Sequence, residues 1–347
     1  MDLMKMISND LRSSCRSLLL GAYQEGGSKE VESDWVYPEY WPALPNAGTG
    51  EVILLIRPYD EQYKISLRVY KYFYDHLLPE GYTITIDWGD GETLTKTEFS
   101  NNYEDIEHEY SSDFFGQYVF VKFHSPEYYV STGTEGETLR HISGLVGFGS
   151  TSAGYVQYVL AACVGKRAFA FENRTFTFNP IYVRFLTDDL NETSMDTYMC
   201  DYSNDTQQYS GEYRSILLVY TGSRTKRIDF VNPPEYLGGY NPPLWNVMQK
   251  ITGLDNLKTI GVSSFFNNMQ SIRKLSLPSL TALPSNCLSS CYSLEELYIP
   301  KCTTFEGTSI TNCYALQKVT LPAESDIDRS TFQYCYHYIE IIREEST

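Results

Sequence analysis

FNNMQSIRKLSLP (Phe266–Pro278) is followed by LSSCYSLEELYIP (Leu288–Pro300) and ITNCYALQKVTLP (Ile310–Pro322). Phe266, Leu288, Ile310 and Phe332 lie 22 residues apart. The same step links Met269, Cys291, Cys313 and Cys335; Ile272, Leu294, Leu316 and Tyr338; and Leu275, Leu297, Val319 and Ile341. A period held over four units is the signature of a solenoid, whose units bury their apolar sides only by stacking on one another. The alternating ends, Leu275-x-Leu277 and Leu297-x-Ile299, predict short strands. Pro278, Pro300 and Pro322 are expected to close them, because proline has no N–H to carry a ladder onward. Leu257-x-x-Ile260-x-Val262, 15 residues upstream of the first full unit, reads as an irregular leading coil.

The L-x-x-L-x-L core resembles a leucine-rich repeat. With F-x-x-C ahead of it and L-P behind, the unit is similar to the bacterial surface-antigen type of that repeat, over roughly 250–345. The sulfur-bearing slot is expected to be packing rather than chemistry. Stacked coils put Cys291, Cys313 and Cys335 in a row, whereas tetrahedral zinc needs ligands converging on a point, and Met269 fills the same slot. Cys287 and Cys302 fall off this row and are read as surface thiols. Tyr292, Tyr314 and Tyr336 each follow a row cysteine, point outward, and are the candidate binding residues. They form either a structural ladder of stacked rings or a contact surface for glycan or protein. Lys274, Glu296, Lys318 and Glu340 alternate in sign at the same step, which predicts pairing between neighbouring coils.

Upstream the pattern changes. Met4, Ile7, Leu11 and Leu18 share a helical stripe, so residues 1–24 are expected to hold a short docking or oligomerising helix. Residues 25–50, rich in Trp, Pro and Gly, read as a linker ordered by packing. From Glu51 the β-branched and aromatic runs EVILLIRP, KISLRVYKYFY, YTITIDWG and QYVFVKFH predict strands, with Ile84, Ile86 and Trp88 on one buried face. The turn Trp88-Gly89-Asp90-Gly91, then His108-Glu109-Tyr110 and Gly116-Gln117-Tyr118-Val119, resembles the polycystic kidney disease (PKD) domain. That resemblance implies an immunoglobulin-like β-sandwich over 51–124, acting as a spacer or adhesion module. Residues 125–245 show strand runs (YVQYVLAACVG, RTFTF, IYVRF, YRSILLVYTG) without a legible topology, and are read as a β-rich intermediate region or leading coils. The solenoid proper is assigned to 246–347. The expected fold is thus mainly β: a PKD-like sandwich, then an irregular leucine-rich-repeat solenoid, with one short N-terminal helix.

The net charge of −17, from 27 Lys plus Arg against 44 Asp plus Glu, opposes attraction to nucleic acid and to anionic membranes. No run of 18 apolar residues predicts insertion into a bilayer, and the first residues lack the apolar core of a secretory signal. Five histidines show no H-E-x-x-H, and Gly147–Gly154 supplies neither a nucleophile elbow nor a phosphate-binding lysine. No catalytic residue, cofactor or metal is therefore assigned, although Asp87, Asp90 and Glu92 are the place where a turn would gather oxygens for calcium. The order Ser33–Pro45 lead-in, PKD-like turn and repeats resembles leucine-rich-repeat proteins encoded by bacteriophages. That resemblance implies a non-enzymatic virion component of the tail-fibre or adhesin kind, made in the host cytoplasm. Its partners would be a host surface protein or glycan and, through the N-terminal region, other virion proteins or further copies of itself. The alternatives are a bacterial cell-surface adhesin and, more distantly, a glycan hydrolase.

Overall fold

The computed structural model describes residues 35–48, 51–58, 64–70, 72–73, 76–77, 83–98, 103–124, 127–130, 140–143, 146–148, 157–163, 181–186, 196–197, 215–216, 225–231, 233–237 and 245–345 apart from 262, 326, 328, 336 and 337. The expected N-terminal helix, the RTFTF run and Tyr336 lie outside these residues. The described chain is almost entirely β, with two short 3-10 turns at Ser112–Phe114 and Arg329–Thr331.

Eight strands form the largest sheet. In chain order the strands needed here are β1 (Glu51–Ile56), β2 (Lys64–Tyr70), β3 (Ile84–Asp87), β4 (Thr93–Lys96), β5 (Tyr103–Glu109), β6 (Val119–His124), β7 (Val146–Phe148), β8 (Gln157–Cys163), β9 (Tyr182–Leu186), β10 (Arg227–Phe230) and β11 (Lys250–Thr252). The sheet order is β11-β10-β9-β8-β1-β6-β3-β4. From β4 to β8 every pairing is antiparallel, and from β8 to β11 every pairing is parallel. One sheet therefore passes from an antiparallel half into a stack of parallel coils, with β8 as the strand that belongs to both. A second antiparallel sheet, β7-β2-β5, supplies Ile65 and Ile106 to the same buried cluster as Val52, Leu54, Ile84, Ile86 and Val121.

β1 is buried on both faces, which its continuous VILLI run requires. Val52, Leu54 and Ile56 face the main core. Ile53 and Leu55 face outward into Trp41, Leu44, Ala47, Tyr182 and Phe120. Residues 35–48 are thus a strap laid across the sheet. Trp35 and Tyr37 meet Tyr182 with ring centroids at 5.4 and 5.9 Å, so the strap is fastened to the first parallel coil as well as to β1.

Coil geometry begins well before the visible period. At four of the turns two successive N–H groups donate to a single carbonyl of the previous coil: Lys226 and Arg227 to Ile181, Gln249 and Lys250 to Lys226, Glu295 and Glu296 to Arg273, Gln317 and Lys318 to Glu295. The strands of the regular repeats, β12 (Lys274–Ser276), β13 (Glu296–Tyr298), β14 (Lys318–Pro322) and β15 (Glu340–Glu344), are parallel and pair at the 22-residue step. The ladder runs on to Leu277 and Ile299, whose N–H groups donate to Tyr298 and Thr320, so proline ends these strands one residue after the last bond. Pro322 differs: it is the last residue of β14 and pairs opposite Glu344, accepting from Arg343 through its carbonyl, a role that needs no N–H. Inward slots are filled by fully buried Phe266, Met269, Ile272, Leu277, Leu288, Leu294, Ile299, Ile310, Leu316 and Leu321. Burying each such aliphatic side chain contributes about 1.5–3 kcal/mol. The last coil departs from the pattern, since Tyr338, in the slot of Leu294 and Leu316, is 80% exposed.

A second 22-residue row is conformational. Asn268, Ser290, Asn312 and Tyr334, each immediately before the sulfur slot, all have left-handed backbone (φ 61°, 60°, 57° and 55°). Asparagine tolerates that region, whereas a Cβ-branched or bulky residue meets the following carbonyl at a cost of roughly 1–2 kcal/mol. Gly253 has φ 76°, and a Cβ there would collide with the Phe230 carbonyl oxygen. Tyr334→Asn is expected to stabilise the protein and Asn268→Val to destabilise it, each by about 1 kcal/mol, and Gly253→Ala to cost about 2 kcal/mol or more. Urea unfolding midpoints check all three.

Candidate functional site

Tyr292 and Tyr314 stack with ring centroids 5.5 Å apart and planes within 9°. They remain 42% and 58% exposed. The 22-residue step puts them on successive coils, and their position directly after a buried cysteine turns them outward. The Tyr314 hydroxyl donates to Asn312 Oδ1 at 3.4 Å, tying the ring row to the left-handed row beside it. Tyr298 is on the outer face of β13, away from this row, and its hydroxyl reaches across Thr320 to Glu344 Oε2 at 2.9 Å. That hydrogen bond to the carboxylate raises the Tyr298 pKa.

The sulfur row is internal at Met269, Cys291 and Cys313, while Cys335 in the last coil is half-buried. Cys291 and Cys313 are fully buried, and their thiols donate to the carbonyls of Phe266 and Leu288 at 3.1 and 3.0 Å, each one coil back. The slot thus accepts Met by packing alone and uses Cys to satisfy one backbone carbonyl. Cys287 and Cys302, expected at the surface, are both fully buried. They belong to further repeat slots, one shared with Phe265 and Ser309 and the other with Leu280, all buried. Burial pushes both thiols up to about 12.

Charges are paired between coils. Lys274 Nζ is 3.2 Å from Glu296 Oε1, and Arg273 bonds Glu295 through Nε at 2.8 Å and Nη2 at 2.7 Å. Lys318 and Glu340 follow in register. On the first coils Asp229 accepts from Tyr182 (2.7 Å), Thr252 (2.7 Å) and Arg227 Nε (2.8 Å). Burial alone would raise the Asp229 pKa, but these donors and the Arg227 charge outweigh it and leave it lowered. Tyr182 responds oppositely: burial, then its bond to Asp229, raises its pKa.

In the WGDG turn the sequence motif is one physical unit. Trp88 stacks on His108 at 4.6 Å, His108 Nε2 lies 2.6 Å from Asp90 Oδ2, and the Tyr110 hydroxyl donates to the Trp88 carbonyl at 2.9 Å. Asp90 Oδ1 accepts from Glu92 N, and Asp87 Oδ1 from Gly89 N. Of the carboxylates considered for calcium, those of Asp87 and Asp90 are thus hydrogen-bonded within the turn, while Glu92 contributes its backbone N–H and keeps an exposed carboxylate. Among the described residues no group of three or more His, Cys, Asp or Glu side chains is placed to hold a metal ion. None of the described helices is long and apolar enough to cross a membrane.

Residues 244–339 match the family model of the BspA-type leucine-rich repeat region, in six copies. No curated protein and no solved structure matches the chain.

The buried groups set a pH window. Cys287 and Cys302 have folded pKa values above the usual 9, so the unfolded chain loses their protons first and stability falls as pH rises from about 9 towards 12. The lowered Asp229 acts at the other end, stabilising above its unfolded value of 3.8 and losing that contribution as pH falls below it. Unfolding free energies measured against pH should show a plateau with both flanks. Cys287→Ser with Cys302→Ala should flatten the alkaline flank, and Asp229→Asn should flatten the acid flank while costing about 1–3 kcal/mol at neutral pH.

Proposed function

We propose that this chain is a non-enzymatic recognition protein, a phage virion component of the tail-fibre or adhesin kind, whose solenoid presents a host-binding surface. The observation that carries the reading is the stacked, exposed Tyr292–Tyr314 pair on a repeat surface where neighbouring charges are already paired between coils. Rigid tyrosines lose little conformational entropy on contact, which suits them to binding. The match of 244–339 to a repeat type named for a surface antigen supports a surface or binding role. The coupling of Trp88, Asp90, His108 and Tyr110 supports a PKD-like sandwich for 51–124, serving as a spacer. The order of strap, WGDG turn and repeats favours a phage origin over a bacterial adhesin.

Two measurements test this. Mass spectrometry of purified phage particles should detect the protein, whereas its presence only on intact bacterial cells under surface proteolysis would replace the virion reading with the adhesin one. Purified full-length protein should bind cells of the host strain. Tyr292→Ala with Tyr314→Ala should lower retention about tenfold or more, equivalent to about 1.4 kcal/mol or more. Unchanged retention would remove the Tyr surface from the proposal.

A further inference from the structure

The corner of the solenoid around the Tyr pair is uncharged over four coils. Its exposed residues are Gln270, Tyr292, Tyr314, Gln333 and Tyr334, flanked by the half-buried Asn268, Ser289, Ser290, Thr311 and Asn312. In a chain with 27 cationic and 44 anionic residues, a charge-free strip of this length calls for a physical reason. Folding does not require it. The sulfur row holds the interior, and the ladders of Lys274, Glu296, Lys318 and Glu340 and of Arg273 and Glu295 fix register on a different face.

The chemistry of the strip is amide, hydroxyl and phenol. Amides and hydroxyls offer both donors and acceptors, which suits a neutral polyol, and the strip carries no cation to offset the charge of a phosphate or a carboxylate. The rings make the match more specific. Tyr292 and Tyr314 lie parallel within 9°, so the faces turned toward one another cover each other and leave ring edges and hydroxyls for contact. Over these two coils the row presents one phenol group per coil, with an amide or hydroxyl beside each from the left-handed row, at Ser290 and Asn312. Parallel strands repeat at about 4.8 Å, close to the length of one pyranose unit in an extended chain.

We infer that this strip binds a neutral linear polysaccharide lying along the solenoid axis, one sugar per coil. The ring edges would contact sugar C–H groups, and the amides and hydroxyls would bond sugar hydroxyls. This rests on the recognition role proposed above and names the class of its ligand. A protein partner fits less well, because protein interfaces combine an apolar centre with a charged, polar rim, and this strip has neither charge nor a large apolar patch.

The test uses the full-length protein with cello-, chito- and malto-oligosaccharides from dimer to hexamer, and oligogalacturonates as anionic controls, read by calorimetry and saturation-transfer NMR. At least one neutral series should bind, more tightly with each sugar up to about the number of coils and little thereafter. Tyr292→Ala with Tyr314→Ala should weaken binding about tenfold or more, while Tyr298→Phe, off the strip, should leave it within about twofold. Gln270→Tyr places a ring in the same slot one coil earlier and should strengthen binding of the longer oligomers, a gain that no folding defect can mimic. Absence of binding by every neutral series at millimolar concentration overturns the inference, as does affinity independent of length or equal affinity for the anionic series. Cell binding that survives periodate oxidation of the cell surface but is abolished by protease treatment identifies a protein ligand; it overturns the glycan inference and leaves the recognition role standing. Failure to bind cells at all removes the recognition role itself.

Discussion

Everything in the parallel half of this molecule depends on coils stacking at strand spacing through backbone hydrogen bonds. Four of the described coils donate two consecutive N–H groups to one carbonyl of the predecessor, at Ile181, Lys226, Arg273 and Glu295 alike, and the last donates one, from Glu340 to Gln317. Once that bond is made, residues at equal positions in successive coils are superimposed, and every slot becomes a row. An inward row must be apolar or self-satisfying, which is why Phe, Leu and Ile alternate freely there and why a cysteine is accepted only with its thiol on a carbonyl. An outward row brings like residues together, so a cation in one coil calls for an anion in the next.

The regular coils were legible in the sequence because apolar side chains announce burial at a fixed step. The left-handed row was harder to see. Asn268 and Asn312 are the usual residues for that backbone, but Ser290 and Tyr334 are not, so composition alone hides a position that geometry imposes on all four. Cys287 and Cys302 misled for a related reason. Their slot partners are Phe265, Ser309 and Leu280, too varied to mark a row, yet all are buried. The coils at 181–237 left no period either. Ile181 and Lys226, the first two carbonyl acceptors, are 45 residues apart, about double the later step, and pairing can ignore an insertion that alignment cannot.

The strap at 35–48 shows the opposite case, where composition was informative and its purpose was not. Its Trp and Pro content reads as a linker, but a continuous VILLI strand buried on both faces needs a second cover. Trp41, Leu44 and Ala47 provide it over Ile53 and Leu55, and Trp35 and Tyr37 carry the contact onto Tyr182. Tyr182 in turn bonds Asp229, which gathers Arg227 and Thr252 from the next two coils. A segment before the first strand thereby fastens the antiparallel half to three coils of the parallel half. Its aromatic residues are interpretable only once β1, β8 and β9 are known to be neighbours.

The separation of the charge ladders from the uncharged strip follows from what each kind of contact is worth. Ion pairs as exposed as Lys274–Glu296 contribute little net stability, on the order of a few tenths of a kcal/mol. Their value is discriminating. Lys274 beside Glu296 is favourable, while a slip of one coil would set Lys274 beside Lys318 and replace attraction with repulsion along the whole ladder. Such a device works only where both partners remain committed to each other, so a surface that fixes register with charge is poorly suited to binding a charged ligand. The Tyr-bearing corner carries no such duty. Its register is already set by the carbonyl bonds beneath it, and its side chains are left to present whatever chemistry an external partner requires.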